Sequence, residues 1–99
     1  MKNTVKYNQK NELIEAICKE EQISIVKIEY VYPNKPSEIL IFEDVNIISH
    51  WQNRITFSAN NPCTNYTLTV DNETIDFLAF KIKDKWFYWS KADYVFQEL

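Results

Sequence analysis

Apolar residues recur along this chain in two rhythms. Between residues 9 and 21, Leu13, Ile14, Ile17 and Cys18 fall at i, i+1, i+4 and i+5. That spacing gathers them into one stripe of a helix. Asn8 or Asn11 is placed to cap its start, since an Asn side-chain oxygen accepts an orphan helix N–H. Glu15 and Lys19 stand one turn apart in the favourable order. One stripe means one buried face, and a sheet is the simplest thing to bury it against.

Everywhere else the rhythm is two. Val26, Ile28, Tyr30 and Tyr32 share one face of a strand running from Ile23 to Tyr32, with Lys27 and Glu29 opposite. Pro33-Asn34-Lys35-Pro36 ends it, because two prolines cannot donate to a ladder. Ile39 to Phe42 reads as a short second strand, broken by Glu43-Asp44. The stretch from Val45 to Asn53 fits an irregular strand or one helical turn. Arg54 to Ala59 and Tyr66 to Val70 read as a strand and its return, separated by an Asn/Pro loop; Ile55, Phe57, Tyr66, Leu68 and Val70 point inward. Thr74 to Lys83 and Lys85 to Ser90 complete the series. Thr4 to Tyr7 is a first short strand or a loose arm, and Lys91 to Leu99 a continuing strand or a short C-terminal helix.

These elements predict one α+β domain over residues 1–99. An N-terminal helix would pack on a mostly antiparallel meander of five to six strands. A chain of 99 residues has room for one ordinary domain, and connections this short leave no space for repeated β-α-β crossovers.

The aromatic residues concentrate at the C-terminal end. Trp86, Phe87, Tyr88 and Trp89 follow one another, with Tyr94 and Phe96 beyond. Four consecutive residues of a strand place two side chains on each face. A two-layer fold therefore has one aromatic pair left over, Trp86/Tyr88 or Phe87/Trp89. That pair either packs beneath the terminal segment or forms a contact surface, of the kind aromatic side chains dominate. A self-complementary aromatic edge would make such a surface a homodimer seam.

Charge changes the picture by its layout more than its total. The net charge is −3. Residues 36–80 hold Arg54 alone against Glu38, Glu43, Asp44, Asp71, Glu73 and Asp76, a net of −5, while each flanking segment is +1. An acidic middle suits a basic partner, with Glu43, Asp44, Asp71, Glu73 and Asp76 as its contacts. Solvated carboxylates on loops and outward strand faces are the plainer explanation. Lys81, Lys83 and Lys85 alternate just ahead of the aromatic run. Cationic tracking beside stacked rings is how single-stranded nucleic acid is held, so these lysines with Phe87 and Trp89 mark a second, nucleic-acid-binding reading.

Glycine is absent from the chain. A P-loop, a G-x-G-x-x-G turn and a G-x-S-x-G nucleophile elbow are thereby excluded. Backbone positions with positive φ must fall instead to Asn or Asp, the most tolerant after glycine, and Asn53, Asn60, Asn61 and Asn72 stand at the expected turns. Cys18 and Cys63 are too few for a disulfide scaffold or a Cys-based zinc site. Reduced thiols in a cytoplasmic protein are the simplest setting. No secretory leader and no apolar run of membrane-spanning length is visible. His50 is the sole histidine, and a nucleophilic dyad would need it beside Cys63. Asp71, Glu73 and Asp76 cluster but lack the glycine and final glutamate of a calcium loop. No cofactor or metal site is expected.

The residues thus predict a small, non-catalytic, cytoplasmic protein-binding domain. An inhibitor of the immunity or anti-defence kind, which occupies a partner's functional surface, suits the acidic middle and the aromatic surplus. The runner-up is nucleic-acid binding through the Lys81-Lys83-Lys85 and Trp/Phe tract, and no membrane association is expected.

Overall fold

The structure, a computed structural model, describes residues 3–20 and 22–92. In chain order the elements are β1 (Thr4–Lys6), α1 (Lys10–Ile17), β2 (Gln22–Tyr30), β3 (Glu38–Trp51), β4 (Arg54–Asn61), β5 (Cys63–Thr69), β6 (Ile75–Ile82) and β7 (Lys85–Ser90). The strands form one sheet of seven in the order β1-β7-β6-β2-β3-β4-β5. The fold is therefore mostly β, which corrects the expected helix on a meander of five to six strands. The expected C-terminal helix or strand, with Tyr94 and Phe96, lies from residue 93 onward outside the described residues.

Two local additions set the difference, a continuation of β3 and one extra strand. Glu43-Asp44 does not end a strand: Asp44 takes φ 54°, a left-handed conformation that Asp tolerates, and β3 bends there and continues to Trp51. At this corner both β2 and β3 break their alternation. Ile23 pairs with Val45 and both are buried in the main core; Ile25, opposite Glu43, packs instead against the other face. The second addition is β1, too short to show a period, which pairs parallel with β7 through Thr4–Trp86 and Lys6–Tyr88.

β2 to β5 form a true meander, but β6 returns to pair with β2 on its far side, from Ile25–Lys81 to Tyr30–Ile75. In a flat sheet β5 and β6 would stand four strand spacings apart, about 19 Å. The connection contains two tight turns, Asn72 N–H to Thr69 C=O and Ile75 N–H to Asn72 C=O, both 3.2 Å. It cannot cover that span, so the sheet must curl.

The helix lies in the concavity. Leu13, Ile14 and Ile17 are at most 1% exposed, which is the stripe the sequence predicts. They meet Val26, Ile28, Ile55, Phe57, Leu68, Val70, Leu78 and Phe80 in the main core. The helix is shorter than expected, because the chain must turn to enter β2 at Gln22. Its N-cap is Gln9, which makes no side-chain capping bond; Asn11 Oδ1 accepts instead from the N–H of Glu12 at 3.1 Å.

β6 is central and covered on both faces. Leu78 and Phe80 face the main core, whereas Phe77 and Ala79 join Trp86 and Tyr88 in a second buried cluster on the convex side.

Candidate protein-interaction surface

The two-residue hairpin between β3 and β4 carries the most exposed large apolar side chain among the described residues. Trp51 is 69% exposed and Ile48 55%. Their exposure follows from register. Ile47 lies opposite Phe57, whose ring is buried. Simple alternation would turn Ser49 and Trp51 inward as well. The pairing slips between Ile47 and Ser49, so that Ser49, His50 and Trp51 lie opposite Thr56, Ile55 and Arg54. One extra residue moves every later side chain to the other face. Trp51 therefore shares the outer face with Arg54, and Ile48 is the bulged residue left in water.

The hairpin is fixed from below. Contrary to expectation, positive φ does not fall to Asn or Asp alone: besides Asp44 it falls to Gln52, at φ 55°, and to Lys83, because the two-residue turns impose it. Asn53 instead binds the β5–β6 turn twice: its C=O accepts from Val70 N–H at 2.7 Å, and its side-chain amide donates to Asp71 Oδ2 at 3.1 Å. Asp71 thereby comes beside the β3–β4 turn, with Glu73 two residues further along the β5–β6 connection. In that turn Asn72 Oδ1 accepts from the backbone N–H and hydroxyl of Thr74 at 3.0 and 2.7 Å. Two lysines from elsewhere cap it. Lys10 Nζ donates to Asn72 C=O at 2.9 Å, and Lys91 Nζ to Glu73 C=O at 3.4 Å, with Asp76 Oδ1 3.9 Å from Lys91. Desolvation outweighs the field of nearby Asp71 and lowers the Lys10 pKa.

The acidic residues expected to act together are split. Glu43 pairs with Asn61, at one end of β4, where its Oε1 accepts from the Asn61 amide at 2.9 Å; Asp44 follows at the bend. Asp71 is held by Asn53, next to Arg54 at the other end of β4, and Glu73 follows in the same turn. Seven residues of strand separate these ends, about 23 Å. The acidic middle of the sequence is thus two small sites, and the second is partly neutralised by Lys10 and Lys91.

The C-terminal aromatic tract is packed on both sides. Trp86 and Tyr88 are 1% and 7% exposed, and Phe87 and Trp89 are half-buried against the main core. Lysine ammoniums lie over these rings: Lys81 5.9 Å from the Trp86 centroid, Lys85 5.8 Å from Phe87, Lys10 5.2 Å from Trp89. Lys83 occupies the β6–β7 turn with φ 58°. Lys81 and Lys85 thus sit over rings on opposite faces, and the three lysines do not line one track.

His50 and Cys63 do not meet. His50 is opposite Ile55 and Cys63 opposite Asn60, about 16 Å apart along β4. His50 instead borders a shallow depression beside α1 with Glu12, Glu15, Ala16, Cys18 and Lys19. Burial, helped by Glu15, pushes the Cys18 thiol up to about 11, so it stays protonated at neutral pH. Among the described residues no group of three or more His, Cys, Asp or Glu is arranged to hold a metal ion. No described helix is long and apolar enough to cross a membrane. The clefts at the Ser24/Asp44 corner, about 140 Å³, beside α1, about 440 Å³, and between Lys19 and Lys83, about 410 Å³, are all open to solvent.

No family model, curated protein or solved structure matches the chain. The functional reading therefore rests on the geometry above.

Proposed function

We propose that this chain is a non-catalytic protein-binding domain that docks through the β3–β4 hairpin, with Trp51 as its anchor. The observation that carries the reading is the exposed indole on a hairpin fixed by Asn53. A Trp side chain offers ~150–250 Å² for burial, so covering the exposed part removes over ~100 Å² from water. At ~25 cal/mol per Å² that yields roughly 2.5 kcal/mol, the magnitude of an interface hot spot. Ile48 extends the apolar area and Arg54 supplies planar hydrogen bonding beside it. The fitting partner offers an apolar pocket for the indole, an acidic group for Arg54 and basic groups for Asp71 and Glu73.

Inhibition by occupying a partner's functional surface belongs to the same proposal, since a rigid hairpin presenting one large side chain suits insertion into a cleft. So does a cytoplasmic setting, which the free thiols Cys18 and Cys63 support. The test is capture from a native extract on immobilised protein, comparing wild type with Trp51→Ala. A species retained by the wild type and reduced at least tenfold with Trp51→Ala supports the reading. The same species retained equally by both overturns it.

A further inference from the structure

Among the described residues β5 is the last strand of the sheet and pairs only with β4. The direction of its backbone groups follows from one bond. Val70 N–H donates to Asn53 C=O, and pairing from Arg54–Thr69 to Asn60–Cys63 is one-to-one without a shift. In an antiparallel ladder, residues alternate between exchanging bonds and facing away. Thr64, Tyr66 and Leu68 therefore bond to β4, while Cys63, Asn65, Thr67 and Thr69 direct their N–H and C=O outward. Consistently, the Asn65 C=O accepts from the hydroxyl of its neighbour Thr64 at 3.2 Å.

Natural edge strands are defended by charge, proline, a bulge or shortness. Cys63–Thr69 has seven residues, no charge, no bulge and no proline within it, Pro62 standing just before its first residue. The opposite edge is defended: β1 has three residues and ends on Lys6. Among the described residues the first part of β3, Glu38–Phe42, also lacks a neighbour on one side, but it starts on Glu38 behind Pro36, and the Phe42 ring packs 5.0 Å from Tyr66.

We propose that β5 pairs antiparallel with β5 of a second copy of this chain, about a twofold axis at Tyr66. The four outward residues are symmetric about that position. Cys63 meets Thr69 of the second copy, and Asn65 meets Thr67, so each outward group finds a partner across the full strand. Four such pairs exchange roughly eight backbone hydrogen bonds. No like charges face each other, and the facing hydroxyl, amide and thiol groups are small enough to sit together. A foreign strand would need pockets for its alternate side chains to be selected, and the outer side chains here are small and exposed. Because the other edge is blunted, the contact is isologous and closes at two copies. Trp51 lies two strands in from this seam and stays available, so the proposal is independent of the docking reading.

The test is mass in solution by size-exclusion chromatography with light scattering, at tens of micromolar. Wild type is expected at about twice the 11.9 kDa chain mass. Thr67→Pro removes one outward N–H and no backbone bond to β4. On that side it loses only the 3.0 Å contact of the Thr67 hydroxyl with Thr56, which Thr67→Ala removes as a control. The proline variant is expected at the single-chain mass and the alanine variant at the dimer mass. In a Cys18→Ala background, Thr69→Cys is expected to form an interchain disulfide with Cys63 on mild oxidation, because facing residues of such a pair lie ~5.5 Å apart. Adding Cys63→Ser should abolish it. A wild type of single-chain mass, or a dimer in which Thr69→Cys fails to cross-link, overturns the proposal. A dimer dissociated by Trp51→Ala but not by Thr67→Pro also overturns it, while leaving Trp51 as an interaction residue.

Discussion

The hydroxyls of Tyr30 on β2 and Tyr66 on β5 lie 2.5 Å apart. The two strands are separated by β3 and β4 in the sheet, so the bond spans the concave side and records how far the sheet curls. The Tyr66 ring also packs against Phe42 and Phe57, at 5.0 and 5.7 Å between centroids.

Removing either hydroxyl leaves the other short of its partner. Tyr30→Phe or Tyr66→Phe is expected to cost about 1 kcal/mol in urea unfolding. The double variant should cost clearly less than the sum, because one shared bond is lost once. Additive costs would mean that the contact contributes nothing. Burial and the bond to Tyr66 raise the Tyr30 pKa above its ordinary 10.0. A raised folded-state value gives stability that is complete below pH 10 and lost as pH climbs beyond it. Tyr30→Phe should flatten that alkaline loss.

Asp44, at φ 54°, turns β3 from its β2-paired half into its β4-paired half. Asp44→Gly should be neutral or stabilising by under ~1 kcal/mol, since glycine adopts positive φ freely. Asp44→Val should destabilise by roughly 1–3 kcal/mol through left-handed strain at a β-branched residue. Melting curves of the two variants check this, and equal effects would remove the conformational explanation.

Much of this fold is periodic and therefore legible in the sequence. The Leu13/Ile14/Ile17 stripe, the inward residues Val26, Ile28 and Tyr30 of β2 and the inward positions of β4 and β5 stand where alternation puts them. The rest depends on partners that periodicity cannot name. Glu43-Asp44 resembles a strand end because it is acidic; only the tolerance of Asp for positive φ lets the strand continue. Thr4–Lys6 becomes a strand because β7 offers it a parallel edge. Trp86 and Tyr88 look like surplus because nothing local shows that β6 and β7 are covered on both faces. Trp51 is the reverse case. A single bulge at Ile48 resets the alternation and sends an indole into water, and no residue type marks the bulge.

The two cysteines should behave differently. Cys63 is exposed and Cys18 half-buried, with its thiol at about 11. Iodoacetamide at pH 8 should label Cys63 first, and Cys18 only when the chain unfolds; mass spectrometry of partly labelled protein reads the order. The raised Cys18 value implies stability that is complete below the thiol's ordinary 9.0 and declines as pH rises through about 11. Cys18→Ala should remove that part of the decline. Equal labelling rates in the folded protein would contradict the burial of Cys18.

Trp51 contributes little to folding, being largely in water, so Trp51→Ala should change stability by no more than about 0.5 kcal/mol. The same substitution should weaken partner binding by about 2 kcal/mol or more, near 30-fold in Kd. The most direct measurement is therefore the affinity of a partner captured from native extract, for wild type and for Trp51→Ala of unchanged melting temperature. A loss of about 30-fold is the expected result. Equal affinity of the two proteins for that partner would contradict the docking of this domain through its β3–β4 hairpin.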